Sequence, residues 1–337
     1  MLQLKNETPF KAALAVLPNK QGIDTVYTVI TATFALWPRL ALSDEQVDPV
    51  LSDVFFDDSG KSSIRYPSEL HLGKPGTDVI VVGCARTVDE KPVVELGVGV
   101  HVADQKKLAR VLGDRQWTGM GPSRPVPFTE MPLVYERAFG GVLETQGAPT
   151  VAEERNPLGK GLAIARRRPL RGDVMPNIED PRQPLLEGVS ASPVGVGCVA
   201  PAWLPRRSFA GTFDDTWQQT RAPYLPDDFQ LRYFHCASEG LVFDRRLHGG
   251  EPIVVVGMSR QGTLRCALPT VKLATTFVLA GQRHTQLNFL QTVLIEPDEN
   301  RMRLTFHSEF PCDKLVLQVE AVEISLTSLG LAAGSTS

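Results

Sequence analysis

Between about Arg115 and Asp228, prolines and glycines recur every few residues and no hydrophobic period is sustained. Each proline removes a backbone donor and fixes φ, so Pro122, Pro125, Pro127, Pro132, Pro157, Pro169, Pro176, Pro181 and those that follow rule out long helices and central strands here. The same stretch carries Trp117, Phe128, Tyr135, Phe139, Trp203, Phe209, Phe213, Trp217, Tyr224 and Phe229. Large aromatic groups dominate core and interface energetics when buried. Structureless loops of this length are rare in compact domains and tend to be functional, so the segment is expected to be an ordered, packed excursion.

Both flanks read as strands. From Val26 to Leu36, the residues Val26, Thr28, Ile30, Ala32, Phe34 and Leu36 share one face, in a run rich in β-branched side chains. Val79–Val82 is a short buried-type run closed by Gly83. Val94, Leu96, Val98, Val100 and Val102 then alternate with Glu95 and His101, and Lys107–Leu112 ends at the Gly113-Asp114 turn signal. After the centre, strands are expected at 253–256, 263–268 and 273–279. A hairpin follows over 287–306 around Pro297-Asp298-Glu299-Asn300, and a last strand over Leu315–Ile324. Both flanks hold an apolar run ending in valine-glycine (Val79 to Gly83, Ile253 to Gly257), which shared strand chemistry explains as well as duplication does.

The expected fold is therefore mainly β, with one or two β-sandwich-like units and a long ordered Pro/Gly/aromatic-rich loop region between them. Residues 1–114 form the N-terminal β-rich unit, 115–230 the loop-rich region and 231–328 the C-terminal β-rich unit, with one continuous domain as the alternative. The small and polar residues of 329–337 are expected to form a flexible tail.

Charge and cysteine usage narrow the partners. Lys plus Arg number 35 against 38 Asp plus Glu, a net charge of −3 that gives no general pull toward nucleic acid or anionic membrane. Local biases remain in the acidic stretch Asp44, Glu45, Asp48, Asp53, Asp57 and Asp58, and in the arginines Arg166, Arg167, Arg168 and Arg171. The five cysteines (Cys84, Cys198, Cys236, Cys266, Cys312) are widely spaced without a C-x-x-C pair, which fits a reducing compartment. Ala12–Leu17 is too short for a secretory h-region, and no apolar run approaches membrane-spanning length, so a cytoplasmic location is expected.

No catalytic pattern emerges. The six histidines lack metal-ligand spacing, and His235-Cys236, the only close pair, points to opposite faces on a strand. Nucleophile elbows and phosphate loops are absent, and no cofactor is expected. The loop carboxylates Asp214, Asp215, Asp227, Asp228, Glu130 and Glu136 lie among aromatics, as a carbohydrate-active hydrolase would need. Turn and helix-cap chemistry explains them better.

The centre carries, in order, Gly113-Asp114-Arg115-Gln116-Trp117, Met131-Pro132-Leu133-Val134-Tyr135-Glu136-Arg137-Ala138-Phe139-Gly140-Gly141 and Asn156-Pro157-Leu158-Gly159-Lys160-Gly161. After these come Met175-Pro176-Asn177-Ile178-Glu179, Trp203, Gly211-Thr212-Phe213-Asp214 with Trp217, and Leu225-Pro226-Asp227-Asp228-Phe229. The flanks add Asn6-Glu7-Thr8-Pro9-Phe10, Lys74-Pro75-Gly76-Thr77-Asp78-Val79 and Val293-Leu294-Ile295-Glu296-Pro297-Asp298. This order resembles DUF2169, a bacterial family associated with type VI secretion clusters. One departure is Ser238-Glu239-Gly240, where the family carries an acidic-Gln pair.

The resemblance implies a non-enzymatic adaptor or chaperone that brings a type VI secretion effector to the spike protein VgrG or its PAAR-repeat tip, with neither nucleic acid nor membrane as partner. A structural subunit of the apparatus is the other non-enzymatic reading. Candidate partner-binding or loop-organising residues are Arg115, Trp117, Tyr135, Glu136, Arg137, Phe139, Gly140, Gly141, Asn156, Asn177, Trp203, Thr212, Trp217 and Asp228. Glu136-Arg137 is expected to anchor a turn by charge-assisted hydrogen bonds, with Gly140-Gly141 supplying φ values other residues avoid.

Overall fold

The computed structural model of the chain describes residues 2–144, 150–189 and 191–331. Its main strands are β1 (Gln3–Asn6), β2 (Lys11–Pro18), β3 (Asp24–Ala35), β4 (Thr77–Val81), β5 (Glu95–Val102), β6 (Gln105–Leu112) and β7 (Ile178–Glu179). They continue as β8 (Val242–Phe243), β9 (Pro252–Val256), β10 (Leu264–Ala267), β11 (Thr270–Leu279), β12 (Gln282–Leu287), β13 (Phe289–Glu296), β14 (Arg301–Pro311) and β15 (Val319–Gly330). The fold is mainly β.

Among the described residues these strands build three sheets. The largest runs β8-β4-β13-β14-β3-β2, with the short strand Ala41–Leu42 also paired to β3. The second runs β7-β6-β5-β9-β10 and the third β1-β15-β11-β12. Each sheet mixes strands from before residue 115 with strands from after residue 230, so the two β-rich flanks interleave. The parallel pairing of β4 with β13 and of β1 with β15 makes that mixing explicit.

Burial follows from position in the sheet. Nearly all of β3 is buried on both faces because β2 and β14 flank it and other layers cover it, so the alternation read from Val26 to Leu36 marks one of two dry faces. In β5, Val98, Val100 and Val102 are buried while Glu95 and His101 stay exposed. One core cluster joins Ile30, Phe34, Val79 and Val293 of the large sheet to Val98, Val100, Ile253 and Val255 of the second. A smaller cluster, Val26, Phe277, Phe310, Val319 and Val322, ties the large sheet to the third. Each such aliphatic or aromatic side chain contributes roughly 1.5–3 kcal/mol on burial.

Two sequence expectations need correction. The last strand begins at Val319, because Asp313–Gln318 forms a 3-10 helix that leaves Leu317 94% exposed. It continues to Gly330, held by pairing from Leu279↔Val319 to Thr270↔Gly330, so 329 and 330 belong to a strand; the expected tail over 332–337 lies outside the described residues. The two valine-glycine runs are also not equivalent. Val79–Val81 pairs parallel with β13 in the large sheet, whereas Ile253–Val256 is antiparallel to β5 in the second.

Where β13 turns into β14, charge is buried with compensation. Glu296 is fully buried and accepts from Tyr66 Oη at 2.7 Å, Arg301 Nε at 2.7 Å and Arg303 Nε at 3.0 Å. Arg303 is itself only 2% exposed, and its guanidinium lies 4.5 Å from the Tyr66 ring centroid. Removing one partner of such a group leaves an uncompensated buried charge. We therefore expect Glu296→Gln to lose about 3 kcal/mol in urea unfolding, while Leu317→Ser on the exposed 3-10 helix changes stability by less than about 0.5 kcal/mol.

Candidate functional site

The loop-rich centre contains little regular structure, chiefly the short helices α1 (Leu162–Arg166) and α2 (Asp215–Thr220) with scattered 3-10 turns and two-residue strands. Side chains take over the bonding that prolines deny the backbone. Asn177 donates to Leu112 O at 3.0 Å and Asp114 Oδ1 at 2.9 Å, and its own Oδ1 accepts from Arg137 at 3.2 Å. Arg115 meets Glu179 at 2.5 Å, both nearly dry, and also reaches Pro176 O. This group fastens the start of the centre to the end of β6.

A second group closes the next loop. Asn156, fully buried, donates from Nδ2 to Tyr135 O at 2.8 Å and Phe139 O at 2.9 Å. Gly140 has φ of +150°, and a Cβ there would lie 2.1 Å from the Asn156 carbonyl oxygen. Gly141 also has positive φ and donates its N–H to that same oxygen. Tyr135 meets Trp203 edge to face at 5.4 Å. Trp117 and Phe139 enter a satellite core with Leu162, Ile164, Met175 and Leu185. Glu136 and Arg137 do not work as a pair: Glu136 accepts from Ser63 N at 2.6 Å and Ser63 Oγ at 2.8 Å, while Arg137 turns to Asp114 and Asn177.

Thr212, Trp217 and Asp228 form a third group. Asp228 accepts from Thr212 N at 2.9 Å and Thr212 Oγ1 at 2.8 Å, closing the base of the arm 211–228. Asp214 caps α2 through Trp217 N at 2.8 Å, and Trp217 Nε1 donates to Tyr224 O at 2.8 Å. Arg221 reaches Lys20 O at 2.7 Å, fastening the arm to the β2–β3 turn.

Sequence reasoning missed the polar network beneath. Lys74 Nζ donates to Asp78 Oδ2 at 2.7 Å and Thr292 Oγ1 at 2.9 Å, all buried. Asp78 accepts from Cys236 N at 2.8 Å, and its other oxygen lies 2.7 Å from His235 Nδ1. An ionised carboxylate only accepts, so His235 Nδ1 carries the proton there. Burial alone would raise the Asp78 pKa, but Lys74 and His235 hold it far below the usual carboxylate range. The signal in the sequence is a lysine and an aspartate just before the apolar run Val79–Val82. The His235 ring also lines a cavity of about 270 Å³ whose rim mixes Arg206 and Arg232 with Glu239 and Asp244.

The chain belongs to the bacterial family described as "Uncharacterized protein conserved in bacteria (DUF2169)", whose model matches residues 21–307. No curated protein and no solved structure matches it. No helix among the described residues is long and apolar enough to cross a membrane.

Two outcomes test this frame. Asn156→Ala strands the Tyr135 and Phe139 carbonyls, and should lower unfolding free energy by about 2 kcal/mol in denaturant titration. Gly140→Ala, which forces a Cβ against backbone, should lower it by at least as much. The second outcome is a pH dependence. His71 and His307 stack at 4.3 Å in full burial, which pushes both imidazoles down, His307 to about 3, with repulsion from Lys74 adding to the effect. Both are neutral when folded, so the unfolded chain binds protons first as pH drops below about 6.5. Stability should be complete above that value and fall steadily toward pH 4, with further loss below about pH 4 as the unfolded chain protonates Asp78, which the folded state holds ionised. Urea titrations across this range should show His307→Leu with a shallower slope between pH 6 and pH 4, by about one proton.

Proposed function

We propose that this chain is a non-enzymatic adaptor that binds a type VI secretion effector and helps load it onto the VgrG or PAAR-repeat spike. Family resemblance supplies the context, and the arm 211–228 carries the reading. Phe213 is 55% exposed and packs edge-on against Trp217 at 4.8 Å; Tyr224 is 41% exposed, with its ring over Gly22. The Asp214 cap, the Asp228–Thr212 bonds and the Arg221–Lys20 bond fix the segment that bears them. Aromatic anchors already held in place lose little entropy when a partner covers them, which favours their use as binding hot spots.

The loop carboxylates serve the fold. Asp214 caps a helix, Asp227 pairs with Arg221, Asp228 holds Thr212, Glu130 pairs with Arg86 and Glu136 holds Ser63. Asp215 sits in the first turn of α2, where negative charge is favourable. These roles favour a structural part for the carboxylates over the paired acids that glycoside cleavage needs.

The test is co-purification of the full chain with the effector and spike proteins encoded beside it. A stable complex is expected, and Phe213→Ala with Tyr224→Ala should weaken effector binding about tenfold without shifting the melting temperature. Absence of any complex, with secretion intact after deletion of the gene, would refute the proposal.

A further inference from the structure

Two tight turns leave the same end of a short ladder in the loop-rich centre. Residues 115–117 run antiparallel to 172–175: Trp117 N donates to Asp173 O at 2.8 Å, Gly172 N to Trp117 O at 2.9 Å and Met175 N to Arg115 O at 3.1 Å. Beyond Trp117 the chain makes a turn closed by Thr118 N to Gly121 O at 2.8 Å, and just before Gly172 lies one closed by Asp173 N to Leu170 O at 3.1 Å. Antiparallel pairing places these turns side by side.

Both turns are held firmly from below. Trp117 is buried in the satellite core beneath the first. The Asp173 carboxylate accepts from Leu170 N at 2.7 Å and binds the Arg167 guanidinium at 2.9 and 2.8 Å in the second. Their outer surface is apolar and basic together. Met120 is 97% exposed and Leu170 60% exposed, and Arg166, Arg168 and Arg171 are exposed around them. None of these three arginines lies within ion-pair distance of a carboxylate among the described residues. Asp173 is engaged by Arg167 and Glu153 by Arg155.

A bare methionine on one fixed turn, with exposed arginines outside any ion pair in and before its neighbour turn, complements one kind of surface. We propose that the paired turns are a docking site for an acidic segment of a partner protein, one that brings an apolar side chain onto Met120. Methionine adapts to varied apolar shapes, and arginine forms two-point hydrogen bonds with carboxylates. Single-stranded nucleic acid fits less well, because Trp117, the aromatic beneath the first turn, is buried and offers no stacking face. The inference extends the adaptor reading, which requires a second contact besides the one at Phe213 and Tyr224.

The experiment needs no cognate partner. Fluorescence anisotropy would be recorded for the full chain with a labelled peptide of about twelve residues repeating Glu-Glu-Leu, with its Lys-Lys-Leu counterpart, and with a labelled duplex DNA. The Glu peptide should bind at about 50 mM salt and weaken about tenfold at about 300 mM. The triple variant Arg166→Glu, Arg168→Glu, Arg171→Glu should lose at least about tenfold in affinity, and Met120→Ala about threefold, both with unchanged melting temperature. The idea is overturned if the Lys peptide or DNA binds as tightly as the Glu peptide, or if the arginine variant keeps its affinity. A chain that binds the Glu peptide but captures no effector would retain this surface and remove only the loading role.

Discussion

The Lys74–Asp78 pair is the joint on which the two β-rich flanks of this chain meet. Lys74 and Asp78 come from the first third, and Thr292, His235 and Cys236 from beyond residue 230. Asp78 lies between Val242 on one side of β4 and Thr292 on the other, so its charge sits inside the largest sheet, one strand in from its edge. A buried pair of this kind adds little net stability over an apolar equivalent, but losing either partner is severe. Its usefulness lies in register, since only one alignment of β4 between its neighbours satisfies all five groups. Gly76 sharpens the constraint, because a Cβ there would lie 1.9 Å from Phe243 O.

Around that joint, the centre is ordered by an economy opposite to that of the sheets. A strand satisfies its backbone by repetition, whereas here each loop depends on one or two side chains that reach several backbone groups at once. Asn156 and Asn177 each bridge segments that prolines prevent from pairing. Arg115–Glu179 and Glu136–Ser63 do the same with charge. This explains how a segment with so little helix or strand can still bury Trp117, Phe139 and Trp203 and still present Phe213, Tyr224 and Met120 on fixed supports.

The sequence made the flanking strands readable because alternation is a local signal, and it made the centre readable because proline acts locally. It hid what depends on distant partners. β2 looks like a brief apolar stretch and becomes a strand only through its hairpin with β3. The last strand starts four residues later than its composition suggests, because pairing with β11 decides where it begins. The interleaving of the flanks is invisible for the same reason. Among the candidate residues, the loop-organising ones were recognisable as a set, yet their partners were not: Glu136 was matched with its sequence neighbour Arg137 and instead holds Ser63. Lys74 and Asp78 stand out in the sequence only as part of a motif, and their pairing is hidden because single charges beside a strand usually face water.

The order of strands in the large sheet also governs when the protein can come together. β3 lies between β2, its immediate neighbour in the chain, and β14, which is made more than two hundred and sixty residues later. β4 likewise has no neighbour until β8 and β13 have been synthesised. The emerging polypeptide must therefore leave the ribosome with its most apolar strands incompletely paired, and its assembly is a late, collective event during which those strands are exposed to aggregation.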